Sequence, residues 1–76
     1  MSKSRDNFTR LAEQRTIRTL KDIRLIGNLS NRSNYAWARN DVSKIFSVIE
    51  AEVKIAKQRF EDARSFDREI EFSLKK

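Results

Sequence analysis

Placed at 100° per residue, Phe8, Leu11, Ala12, Leu20, Ile23 and Ile26 fall within one half of a helical wheel, with Thr16 and Thr19 among them. This spacing predicts an amphipathic helix over about residues 6–26. Ser4 or Asp6 is placed to accept the first free amide protons, and Gly27 to end the helix in the left-handed conformation. The stretch Gly27-Asn28-Leu29-Ser30-Asn31-Arg32-Ser33-Asn34 is rich in side chains that compete with helical hydrogen bonds. It reads as the start of a connecting loop that runs to about residue 38.

A second apolar stripe follows. Val42, Ile49, Ala56, Ala63 and Ile70 recur every seven residues, Phe46, Val53 and Phe60 stand four positions after three of them, and Ile45 fills the same face. This predicts a long helix from about residue 39 to 74, capped either at Asn40 or, with an earlier turn carrying Tyr35 and Trp37, at Ser33 or Asn34. A strand signal competes, because Ile49, Ala51, Val53 and Ile55 alternate with Glu50, Glu52 and Lys54. The helix prevails: its period extends far beyond that window, Glu, Lys and Ala favour helix, and no turn residue bounds the alternation.

Two helices joined by a short link define an all-α fold, a single domain built as an antiparallel helical hairpin with a long second helix. The arms are unequal. A helix of some twenty residues spans about 30 Å and one of thirty-four about 50 Å, so an end-matched hairpin carries Phe8 only as far as Phe60 and leaves Phe66, Ile70, Phe72 and Leu74 without an intrachain neighbour. Val48, Ile55 and Phe66 form a further apolar patch beside the main stripe. Burying a Phe or Ile contributes about 1.5–3 kcal/mol, so self-association or docking on a larger protein is expected through Val48, Ile55, Phe66 and Ile70. A short third helix from Ser65 that folds back over these residues is the competing expectation.

Composition narrows the chemistry. Seventy-six residues allow one small domain, and the absence of Cys and His removes disulfides, thiolate and imidazole catalysis and the commonest zinc ligands. No Pro and a single Gly disfavour a turn-rich β fold. The acids Glu50, Glu52, Glu61, Asp62, Glu69 and Glu71 are spread around the second helix, and no glycine-rich phosphate loop, zinc spacing or calcium loop occurs. No enzyme activity, cofactor or metal is expected.

Charge is distributed asymmetrically. Residues 1–39 hold nine bases against three acids, which is +6, while residues 40–76 hold eight of each, so the whole net charge of +6 lies in the first half. Such an excess points to an anionic partner near the first helix. Arg10, Gln14, Ile17, Lys21 and Arg24 form one stripe opposite the apolar face, with Arg18 beside it, a row suited to successive phosphates. Beyond it, Tyr35 and Trp37 lie between Arg32 and Arg39, an aromatic pair among bases that suits either base stacking or a protein anchor. Nucleic-acid contacts are therefore expected at Arg10, Arg18, Lys21, Arg24, Arg32, Tyr35, Trp37 and Arg39. The plainer meaning of the stripe is a solvated face, and that of the aromatic pair is a lid over Ile26 and Val42.

The N-terminal residues lack an apolar run of signal-peptide length and no stretch approaches bilayer length, so a cytoplasmic protein without membrane contact is expected, and the Asn-x-Ser/Thr matches at Asn7, Asn28 and Asn31 carry no glycosylation meaning. The runs Phe8-Thr9-Arg10-Leu11-Ala12-Glu13-Gln14-Arg15, Leu25-Ile26-Gly27-Asn28-Leu29-Ser30-Asn31-Arg32-Ser33-Asn34-Tyr35 and Asp41-Val42-Ser43-Lys44-Ile45-Phe46 resemble small basic helical proteins encoded by bacterial phages, plasmids and integrated mobile elements. The resemblance covers about residues 8–60. It departs at Ala38-Arg39-Asn40, where those proteins carry a Thr-Glu-Glu type helix start. It implies a mobile-element setting, in which small non-catalytic proteins act as inhibitors of host or defence complexes, anti-CRISPR proteins among them, or as nucleic-acid-binding accessories.

Overall fold

The computed structural model describes the backbone of residues 4–75 and the side chains of residues 4–64. It is all-α, in two units, residues 1–37 and 38–76. The first unit holds helix α1, Arg5–Gly27, followed by a single 3-10 turn, Asn28–Ser30. The second holds helix α2, Arg39–Lys75, which continues through Ser65 without the break that a third helix requires. The order short helix, link, long helix is the expected one, and the strand alternative at residues 49–55 is excluded because these lie inside α2. With 23 and 37 residues, the helices measure about 35 and about 55 Å at 1.5 Å per residue.

Ser4, not Asp6, caps the start of α1. The Ser4 Oγ accepts from the Asn7 amide at 3.2 Å, which satisfies one of the orphan donors of the first turn, and the Ser4 carbonyl accepts the first helical hydrogen bond from the Phe8 amide at 3.2 Å. Asp6 instead places its negative charge against the positive end of the helix dipole. The far end differs from the expectation. Gly27 has φ −59° and ψ −31°, right-handed helical values, and no described residue has a positive φ. The helix tightens into the 3-10 turn and stops at Asn31, whose ψ of 102° is extended. The Asn31 side chain explains the stop: its Oδ1 accepts from the Ser33 amide at 2.9 Å, and its carbonyl accepts from the amides of Asn34 and Tyr35 at 3.1 and 3.0 Å.

α2 starts at Arg39, and neither Asn40 nor Ser33 or Asn34 caps it. The capping contact is reversed, with the Ala38 amide donating to the Asp41 Oδ2 at 2.9 Å. Asp41 occupies the third helical position, from which a side chain reaches back to the residue before the helix, so this is half of a capping box.

None of the described residues is fully buried. The half-buried ones are Leu11, Ala12, Ile23, Ile26 and Trp37 in the first unit and Val42, Phe46 and Ile49 in the second. All but Trp37 belong to the apolar stripes read from periodicity. Other stripe members stay open: Phe8 is 48% exposed, Leu20 46%, Val53 51% and Phe60 64%. Among the described residues no helix is long and apolar enough to cross a membrane.

Candidate nucleic-acid interface on the first unit

α1 sets its bases out by its own geometry. Arg10, Lys21 and Arg24 recur at helical spacing along the side opposite Ala12, Ile23 and Ile26, with Arg18 alongside, and all four are exposed. Arg10 is held by its neighbour one turn back, its Nη2 donating to the Asn7 Oδ1 at 3.3 Å. The ion pair found among the described residues, Arg64 with Glu61 at 3.6 Å, lies in α2. The bases of α1 therefore keep their charge uncompensated by a described carboxylate at contact distance. Arg24, in the last turn, also complements the negative end of the helix dipole.

Beyond the 3-10 turn the chain leaves helical geometry at Asn31, and the following residues bring Arg32 and Trp37 together. The Arg32 guanidinium carbon stands 3.7 Å from the Trp37 ring centroid, and the indole Nε1 donates to the Ser30 carbonyl at 3.2 Å. Trp37 is thus fixed from two directions and half-buried, with one ring face covered by a cation. Tyr35 is 48% exposed, tied only through its backbone amide to Asn31. The two aromatics of the loop have different local roles: Trp37 ties the segment together and Tyr35 presents a free ring. Arg39 is the first residue of α2, in the second unit.

Of the residues expected at a protein interface, Val48 is 66% and Ile55 53% exposed, one heptad apart on the same side of α2. Phe66 and Ile70 fall outside the residues whose side chains are described. Asn31 escaped the reading from sequence. Its signal was present in Asn31-Arg32-Ser33, the spacing of an Asx turn, which also matches a glycosylation site.

No protein family, curated protein or solved structure matches this chain.

Proposed function

We propose that this chain is a non-enzymatic helical binding protein of a mobile-element setting that engages nucleic acid, or a nucleoprotein complex, through the basic side of α1. The observation that supports it is the exposed row Arg10, Arg18, Lys21 and Arg24, none of them paired with a described carboxylate. Four cations spaced along one helix side meet phosphates in succession, and releasing their counterions drives association. Tyr35 supplies a stacking surface, and Arg32 contributes charge while it holds Trp37. Arg39 adds a further base from the second unit.

The test is binding to duplex DNA and to single-stranded RNA by fluorescence anisotropy across a salt series. Wild-type affinity falls steeply as salt rises. Lys21→Glu with Arg24→Glu reduces affinity for both polymers and shallows the salt dependence. Unchanged affinity in that variant removes α1 as the binding face.

A second reading rests on the exposure of Val48 and Ile55. In it the chain inhibits or assists a larger host protein complex, in the manner of anti-CRISPR proteins, by laying these residues in an apolar groove. Capture of a host complex that survives nuclease and is lost in Val48→Asp with Ile55→Asp supports it. Capture abolished by nuclease supports the first.

A further inference from the structure

We propose that the seam of α2 pairs with the same seam of a second copy of this chain, antiparallel, about a two-fold axis crossing between Lys54 and Ile55. Val42, Phe46, Ile49, Val53, Ala56, Phe60 and Ala63 advance along α2 by alternating steps of four and three. That rhythm is the 3.5-residue repeat of a helix that supercoils against a partner helix. The farther part of the seam is bare, with Val53 51% and Phe60 64% exposed.

Side-chain size selects the antiparallel order. Around this axis Phe46 faces Ala63 of the second copy, Ile49 faces Phe60 and Val53 faces Ala56, so two of these three layers pair a larger group with a smaller one and no Phe faces a Phe. A parallel pair sets Phe46 on Phe46 and Phe60 on Phe60, then Ala56 on Ala56 and Ala63 on Ala63, overfilling some layers and leaving others hollow.

Charge selects the same order independently. Glu50 and Lys57 flank one side of the seam, and Glu52 and Arg59 the other. None of the four forms an ion pair among the described residues, and all are exposed. In the antiparallel pair Glu50 meets Lys57 of the second copy and Glu52 meets Arg59. The two-fold axis repeats both contacts, which makes four attractions and no repulsion in this central stretch. The parallel order retains Glu52 with Lys57 but sets Arg59 against Arg64. A uniformly basic or acidic helix satisfies only half of this pattern, whereas a second copy satisfies both halves.

The experiment uses the full chain without nucleic acid, so its result is independent of the reading of α1. By sedimentation equilibrium the wild type has twice the chain mass, dissociating on dilution. Glu50→Lys with Glu52→Lys makes the four flanking groups of each copy positive and weakens the dimer about tenfold or more. Lys57→Glu with Arg59→Glu makes them negative and does the same. Mixing the two variants restores a dimer, as does the fourfold exchange within one chain. Orientation is read from spin labels on the outer side of α2: the axial offset between copies is about 30 Å for Lys44→Cys and about 10 Å for Ala51→Cys in the antiparallel order, and the two sites give one distance in the parallel order. A wild type that stays monomeric at all concentrations, failure of the mixture to reassociate, or equal distances at the two labels overturns the proposal.

Discussion

α1 and α2 are both amphipathic helices, yet their apolar sides are built differently. On α1 the middle of the stripe is polar: Arg15, Thr16 and Thr19 separate Leu11 and Ala12 from Leu20, Ile23 and Ile26. Thr19 spends its hydroxyl locally, donating to the Arg15 carbonyl at 2.8 Å, so this interruption needs no partner to satisfy it. On α2 the stripe from Val42 to Ala63 is unbroken. Charge divides in the opposite sense, since α1 holds six bases against three acids and α2 eight against eight. The chain thus separates two kinds of surface: one helix carries net charge and little continuous apolar surface, the other apolar surface with balanced charge.

The largest effect separates the helices by charge. Lys21→Glu with Arg24→Glu in α1 and Lys44→Glu with Lys54→Glu in α2 change net charge equally, and all four sites are exposed. If the field of α1 is what nucleic acid meets, the α1 pair lowers the slope of log affinity against log salt by about two units, one for each lost phosphate contact. The α2 pair leaves the slope nearly intact. Equal losses mean that only total charge matters.

Apolar truncation comes next. Phe46 is half-buried and Val48, two residues on, is 66% exposed. Phe46→Ala is expected to cost about 2 kcal/mol in thermal melts followed at 222 nm, about half of a fully buried Phe→Ala change. Val48→Ala removes a β-branched side chain from an open helical position and is neutral or stabilising by about half a kcal/mol. Equal costs would place both residues against neighbours and dissolve the distinction between seam and outer surface.

The helices themselves were legible from periodicity because one physical cause, burial of one side, repeats over many turns, so errors at single positions average out. The basic row on α1 was legible for the same reason, since 100° steps place Arg10, Lys21 and Arg24 together whatever their role. The link was not, because its conformation depends on single contacts. Tyr35 and Trp37 look interchangeable in sequence. Which ring is held follows from Asn31 turning the backbone at a point that brings Trp37, five residues past Arg32, under that guanidinium. Trp37 is the sole Trp, so its emission reports this contact directly. Arg32→Ala uncovers one ring face and is expected to shift the emission to longer wavelength, while Tyr35→Ala leaves it in place.

The two helix starts give a smaller and oppositely signed contrast. Ser4 supplies α1 with a side-chain acceptor for the Asn7 amide, whereas Ala38 has none to offer α2 and only the Asp41 carboxylate reaches back. Ser4→Ala is expected to cost about 1 kcal/mol, and Ala38→Ser to add about as much by completing the capping box. Differential melts at matched protein concentration measure both. A destabilising Ala38→Ser would mean that its hydroxyl does not accept from the Asp41 amide, which already donates to the Ala38 carbonyl at 2.9 Å.

Gly27 gives the smallest effect and tests the structure at the point where it departs most from the sequence pattern. A glycine that ends a helix in the left-handed region resists substitution, because any Cβ then collides with its own carbonyl. Here Gly27 is right-handed, and a Cβ built on it meets nothing within 4 Å. The Asn28 amide after it donates to the Arg24 and Ile26 carbonyls, so the backbone polar groups are already engaged whichever side chain stands at 27. Gly27→Ala therefore removes only the excess freedom of glycine in the unfolded chain and stabilises by about 0.5–1 kcal/mol. Slower hydrogen exchange at Asn28 should accompany the gain, since the amide lies one residue past the substitution and opens when that turn frays. Loss of stability with faster exchange would mean that Gly27 adopts a positive φ in solution, which would move the helix stop from Asn31 to Gly27 and undo the turn that brings Arg32 over Trp37.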